Sequence, residues 1–452
     1  MEGEICLSMI NIWLRYFGIG FMKMKEKSKY YNKKYAHFDM RKNFDDYKSY
    51  IQNPKRIKSH GFYPFIRYEI NFIKYNKKSN ETITKKREIS YSAHIDRYIY
   101  KYYSEKLNHY YNIKAPKYNI NEVSIAYRNN MKGKSSVNFA KEVIDFITTK
   151  EKCYILVGDF KDFFNNINHV YLKERICDLL ECDKLPDDYY AVYKNITKYS
   201  YINIKDIEDI LERRRIKLNE KLKDSKLFYT KDFQNLKKNK LKINKTGVGI
   251  PQGASISSVY ANIYMIEFDN IVNKYVNERN GIYRRYCDDF IVVLPINKEL
   301  ECYRHKKIIF NKIYSIPDLK ISESKTKEYI YGDKKLKWED KESAVLDYLG
   351  FEFNGIEVKI REKSVSKFYY RLYRKINKSN RRTKKEERKC LRKSLYRNYS
   401  HLGSIPSKKS RGNFITYANK AQRVFDENSS TNNKMNEQIK KHWKVISREL
   451  SK

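Results

Sequence analysis

Tyr286-Cys287-Asp288-Asp289-Phe290 sets two adjacent carboxylates between two runs of strand-forming residues. Gly281-Ile282-Tyr283-Arg284-Arg285 is a basic lead-in, and Phe290-Ile291-Val292-Val293-Leu294 leads out to Pro295, which stops the run. β-Branched and aromatic residues on both sides predict a hairpin with the acids at its tip. An apolar strand that delivers two carboxylates to one point is unfavourable unless a cation neutralises them. The usual neutraliser is a pair of divalent metal ions in phosphoryl transfer. Asp-Asp is also a common turn dipeptide, so the pair takes its meaning from the rest of the chain.

The charge narrows the class of partner. Among 452 residues, 95 Lys and Arg face 54 Asp and Glu, a formal net charge of +41. An excess of that size calls for a polyanion, nucleic acid first. With 41% hydrophobic and 15% aromatic residues the chain can build a core, which excludes a disordered protein. Its length suits about three compact units or one multi-lobed enzyme. Cysteines at 6, 153, 177, 182, 287, 302 and 390 show no zinc-type spacing, which predicts reduced thiols and a cytoplasmic location. The apolar stretch Ile5–Phe17 is interrupted by Arg15 and is too short for a membrane span. Composition changes abruptly at Met22-Lys23-Met24-Lys25, which points to a natural start there. Residues 1–21 then read as an upstream artefact or a short appended helix, and residues 1–24 as an N-terminal extension.

A second acid belongs with the first two. Cys153-Tyr154-Ile155-Leu156-Val157-Gly158 reads as a buried strand that ends on Asp159, where an open sheet can display a carboxylate. Asp162 competes, but it falls in the following turn and reads as a cap. Upstream, Arg67–Tyr75 and Thr82–Tyr91 predict a hairpin joined by a polar turn, with Lys85-Lys86-Arg87 as a basic patch. His37 and His60 sit in aromatic clusters and read as packing residues rather than ligands. Helical periodicity covers His94–Tyr111 and Val137–Thr148. A basic helical segment, Ile207–Lys245, precedes Gly247-Val248-Gly249-Ile250-Pro251-Gln252-Gly253, and a helix is expected from Ser257 to Asn273. Such a loop allows close approach to backbone, and the helix start favours an anion.

The order Asp159-Phe160-x-x-Phe163-Phe164, Pro251-Gln252-Gly253, Tyr286-Cys287-Asp288-Asp289, Lys325-Thr326 and Leu349-Gly350-Phe351 resembles the motif series of reverse transcriptases. His60–Ile66, Arg87–Ser90, Asp96–Tyr100, Ala126–Arg128 and Gly412–Tyr417 are similar to segments of the bacterial, non-retroviral branch that includes retron, abortive-infection and other phage-defence enzymes. The resemblance covers about 25 to 452 and implies an α+β right-hand polymerase. Its domains would be an N-terminal region with fingers (25–152), a palm (153–353, with the basic insertion 205–245) and a helical basic thumb (354–452).

The resemblance also implies roles. Asp159, Asp288 and Asp289, with the backbone carbonyl of Phe160, would hold two Mg²⁺ ions, Mn²⁺ being an alternative. Lys325 would protonate the leaving pyrophosphate, Arg87 would hold the triphosphate of a dNTP, and Phe164 would select deoxyribose. Gln252 and Gly253 would contact nucleotide and template, and Leu349-Gly350-Phe351 would grip the primer end. The implied partners are RNA, including a structured non-coding RNA, and the DNA product, with no membrane and with a homo-oligomer or an accessory defence protein open. Cys287 and Asn165 depart from the commoner family residues without removing a metal ligand. Alternatives are a retron-type enzyme making RNA-linked cDNA, a template-independent or protein-primed polymerase, and an RNA-binding scaffold with a degenerate palm. No nuclease, RNase H or protease pattern follows Phe353.

Overall fold

The computed structural model describes residues 30–450 apart from 32, 77–80, 132, 217, 219–225, 339–342, 387–391 and 406–411. The N-terminal extension and the expected turn at 77–80 lie outside the described residues. The architecture is α+β, as expected, and the chain forms two compact units. One takes residues up to Lys117 together with Asp162–Ile266; the other takes Tyr118–Lys161 with Glu267–Lys452.

The first unit is built on the hairpin Phe65–Asn76 and Glu81–Tyr91, in register from Ile66↔Tyr91 to Asn76↔Glu81. Ser200–Asn203 adds in parallel along Phe65–Arg67, and Lys242–Ile243 closes the other side of that short strand. The basic segment 205–245 is therefore not one helical run. It supplies a helix at Ile204–Arg213, another at Thr230–Lys240 and an edge strand. Ile66, Ile202, Ile207, Leu211, Leu227 and Phe228 form the core beneath this sheet.

Helix His94–Lys114 buries Ile99, Tyr103, Leu107 and Tyr111 at the three-to-four spacing of an amphipathic helix. Its fully buried Asp96 ties two segments together. One carboxylate oxygen pairs with His60 Nε2 at 2.8 Å, and the other accepts from the Tyr63 N–H at 2.9 Å. The second nitrogen of His60 meets the Tyr50 hydroxyl at 2.8 Å. His37 Nδ1 accepts from the Phe38 N–H at 2.8 Å, and burial pushes its pKa down to about 3. Both histidines are thus absorbed into packing. The helix expected from Ser257 to Asn273 is interrupted at Met265, whose N–H turns back three residues to Asn262 rather than four.

The second unit holds a five-stranded antiparallel sheet in the order Ile282–Tyr286, Asp289–Pro295, Lys152–Asp159, Lys327–Gly332, Lys335–Lys337. Ile155, Ile291 and Val293 on one face pack against Val137, Ala140, Val143 and Ile144 of helix Ser136–Thr148. The same core continues through Phe351, Phe353 and Val358 of a second small sheet into Ala418, Ala421 and Phe425 of helix Phe414–Asp426. Asn413 caps that helix by accepting from the N–H groups of Ile415 and Thr416. The long helix Glu362–Glu386 buries Phe368, Leu372 and Ile376 and exposes Lys367, Arg371, Arg374 and Lys378. Among the described residues no helix is long and apolar enough to cross a membrane.

Candidate active site

The central strand Lys152–Asp159 is flanked on both sides, so its apolar run is buried and only its end can carry a charge at low cost. Register decides what that end meets. Asp159 is paired across the strands with Asp289, and Asp289 in turn with Tyr286. Cys287 and Asp288 form a two-residue hairpin loop, with Cys287 at φ 63. A positive φ at the first loop position matches the strand twist, although glycine is the residue that adopts it without strain. Gly158 makes the register possible. A β-carbon there would lie 2.3 Å from the Phe290 ring that covers it across the strands.

The chain beyond Asp159 is held by backbone. The Phe160 N–H donates to the Asp288 carbonyl at 3.0 Å, Lys161 to Lys320 at 2.8 Å, and Ser322 to Asp159 at 2.8 Å. Phe160 sends its ring into the core, edge-on to Phe268 at 5.6 Å. Lys325, in the 3₁₀ turn Glu323–Lys325, brings its ammonium to both oxygens of Asp159, 2.6 Å from Oδ1. Two of the assigned catalytic groups, 166 positions apart, are thereby in contact.

Arg285, a basic lead-in residue in the sequence, is fully buried. Its guanidinium forks onto Asp269, at 2.8 Å from Nε and 2.6 Å from Nη2, and Tyr283 donates to the same carboxylate at 2.8 Å. Nη1 donates to the Cys287 carbonyl at 2.9 Å, so the pair holds the acid-bearing loop from inside. The Arg285 backbone is also tied to Val123 and Ile125. The Tyr127 hydroxyl hydrogen-bonds the Cys287 thiol, which burial pushes up to about 12. These residues were missed because nothing at their positions signals burial. An alternation apolar–polar would have placed one arginine of the pair inward, but no pattern names Asp269 as its partner.

Leu349 and Gly350, at φ 47 and 92, are the two-residue loop of the hairpin Leu346–Tyr348 and Phe351–Phe353. Two positive φ angles define a type I′ turn, and leucine in the first place is held there by packing on the core. The Gly350 carbonyl accepts from the Arg361 N–H at 2.9 Å, and Arg361 Nε reaches Asp347 at 2.7 Å. Arg361 is also close enough to act on Asp289. Loss of hydration, with the charges of Asp288 and Asp159 behind it, pushes the Asp289 carboxyl up to about 6, against the pull of Lys325 and Arg361. Asp289 remains open to solvent at one side, so screening limits the energetic consequence.

In the first unit Arg87 is exposed on the hairpin over the Phe72 ring, 5.8 Å from its centroid. The Phe164 carbonyl accepts from the Ile250 N–H at 2.9 Å, which fixes the glycine loop to the turn after the acid strand. The Gln252 carbonyl accepts from the Ser90 N–H at 2.8 Å. At Gly253, φ 121, a β-carbon would lie 2.3 Å from the Ser90 carbonyl. The close approach that requires glycine there is made by the protein's own second strand. Asp162 occupies the cap position of the turn Phe163–Asn165 in the left-handed region, without a side-chain capping bond.

Residues 75–353 match the family model described as reverse transcriptase (RNA-dependent DNA polymerase). The chain belongs to the reverse transcriptase family. It therefore carries the domain of an RNA-directed DNA polymerase, and its α+β architecture is that of the polymerase class. No curated protein matches the chain. Among solved structures, apo telomerase from Candida tropicalis truncated from its C-terminal domain is 14% identical with a TM-score of 0.42, over 74% of this chain and 64% of that one. The untruncated apo form gives 14% and 0.42 over 93% and 67%. Telomerase from Candida albicans with the TWJ fragment of telomeric RNA gives 14% and 0.42 over 90% and 66%. This chain thus spans about two thirds of the length of those proteins.

Reverse transcriptases use divalent metal ions, and three carboxylates that repel one another are donors of the right hardness. Among the described residues no three His, Cys, Asp or Glu side chains converge on one point closely enough to hold an ion. Asp159 is instead neutralised by Lys325, beside the Asp288-Asp289 loop. The donor chemistry fits a hard cation: burial first, and then the charges of Asp288 and Asp159, hold the Asp289 carboxyl above its ordinary value.

Proposed function

We propose that this reverse transcriptase extends a DNA strand on an RNA template with deoxynucleotides, by two-metal phosphoryl transfer. The observation that carries the reading is the pairing of Asp159 with Asp289 across the strands, with Asp288 in the adjoining loop. Asp159, Asp288 and the Phe160 carbonyl are the proposed metal ligands, and Asp289 completes or tunes the set. Bound there, two Mg²⁺ ions would activate a 3′-hydroxyl and hold the triphosphate oxygens.

The chain's own residues do the rest. Lys325 places its side-chain nitrogen against the Asp159 carboxylate and is the proposed donor to pyrophosphate. Arg87 binds the triphosphate, Phe164 excludes a 2′-hydroxyl, and Gln252 and Gly253 contact nucleotide and template. Leu349-Gly350-Phe351, locked by its turn and by Arg361, seats the primer end. We assign an N-terminal region with fingers to 25–152, the palm to 153–353 and the thumb to 354–452. The exposed basic face of Glu362–Glu386 supports the thumb assignment, because it suits a phosphate backbone.

The resemblance of several segments to the bacterial defence branch supports a role against phage in the cytoplasm, with a dedicated non-coding RNA. Purification from the native locus, with sequencing of the nucleic acid that accompanies the protein beside an Asp288→Ala control, tests this reading. One bound RNA plus DNA complementary to it, absent from the control, is the expected result. DNA of repetitive sequence, or DNA joined covalently to protein, would replace templated synthesis with untemplated or protein-primed synthesis.

A further inference from the structure

We propose that a basic pocket inside the first unit binds one nucleotide of a single-stranded nucleic acid, at a site that uses none of the catalytic acids. The pocket, about 430 Å³, lies where helix Pro54–Lys58 and the His60–Phe62 segment meet helix Asp187–Thr197. Lys58, Lys194 and Lys198 line it against a single acid, Asp187. Asp187 is already spent on Lys58, at 2.7 Å. Lys194 and Lys198 stand one helical turn apart, both exposed, and no acid pairs with either among the described residues. Two uncompensated ammonium groups at that spacing suit successive oxygens of a phosphodiester.

Two aromatic rings make the pocket more than an anion site. Phe62 is stacked on Tyr100, with centroids 5.6 Å apart and planes 9° from parallel, and His60 meets it edge-on at 4.6 Å. Tyr190 is 43% exposed and is backed by Tyr193, 6.2 Å away at 29°. Rings that line the pocket and are held by neighbouring rings suit stacking by a base, and lysines beside them, with Lys173 over the Tyr190 ring at 5.8 Å, track the backbone. The Tyr100 hydroxyl donates to Asn195 Oδ1, which orients the amide and leaves its N–H groups free to donate to a base edge. His60 cannot swing into the cavity, because Tyr50 and Asp96 hold both its nitrogens. The site is therefore preorganised rather than a fold of loose side chains.

The test uses the full chain and a short thiouridine-containing oligoribonucleotide, end-labelled with fluorescein. Affinity is read by anisotropy over a KCl series, and irradiated complexes are digested and mapped by mass spectrometry. Lys194→Ala with Lys198→Ala should lower the slope of log K against log salt by about 1.4, two phosphate contacts on a single strand. The charge-matched control, Lys298→Ala with Lys307→Ala, should leave the slope unchanged. Cross-links should fall on Phe62 or Tyr190. Cross-links that spare both rings, or a slope change no larger than the control's, would overturn the proposal. Either result leaves the polymerase reading standing, because nucleotide incorporation is measured separately and depends on the other unit's acids.

Discussion

Asp159 and Asp289 face each other as paired residues of two antiparallel strands, 130 positions apart in the chain. The pairing has a pH signature. The Asp289 carboxyl moves from the ordinary 3.8 up to about 6 on folding. Between those values the folded chain binds more protons than the unfolded one, so stability falls as pH rises through that window. Asp289→Asn removes the ionisation. In EDTA, its melting temperature should gain on wild type as pH rises from about 4 to about 7, by on the order of 1–2 °C. An advantage that does not grow with pH would show that neither burial nor the neighbouring acids raise the Asp289 carboxyl on folding.

Lys325 is bound to Asp159, yet 47% of its side chain is exposed. The Asp159 side chain is only 9% exposed, so removing the ammonium leaves a half-desolvated carboxylate without its partner, at a cost of about 1–3 kcal/mol. Lys325→Met should melt below wild type but stay folded, while single-turnover incorporation falls by about 10²-fold or more, the range for loss of a proton donor. Wild-type incorporation in a folded variant would remove Lys325 from the chemistry.

The buried Arg285–Asp269 pair should behave differently. Asp269→Ala leaves a guanidinium in the core without its partner and should cost about 3–5 kcal/mol in urea unfolding. Arg285→Met with Asp269→Leu replaces both charges by apolar groups and should recover most of that loss. Incorporation should stay low even so, because nothing then holds the Cys287 carbonyl. A stable double variant with full activity would reduce the pair to a packing role.

Phe164 is proposed to exclude ribonucleotides. Phe164→Ala should raise the incorporation of rNTPs relative to dNTPs by roughly 10–100-fold, the range available to a steric pocket. Unchanged discrimination would return the ring to simple packing.

The acid strand and the acid hairpin were legible because β-branched runs that end in a carboxylate have few other uses. Their register was not, since it joins residues too far apart for any local pattern to connect. Ser200–Asn203 and Lys242–Ile243 escaped detection because strands of four and two residues have no periodicity to read. Arg285 stands out in the sequence only as part of a basic lead-in, and most arginines lie at the surface. Its burial depends on Asp269, one turn past the break at Met265 that the helical pattern also concealed. Gly253 was readable as a site of close approach, but only the fold identifies Ser90 as the neighbour.

The central claim is that Asp159 and the Asp288-Asp289 loop together form a polymerase centre. Primer extension on an RNA template, with dNTPs and Mg²⁺, tests it most directly when wild type is compared with Asp159→Asn and with Asp288→Ala plus Asp289→Ala. RNA binding by each protein is measured alongside. The account predicts extension by wild type only, with RNA binding largely intact in all three. DNA synthesis by the doubly substituted protein would contradict it.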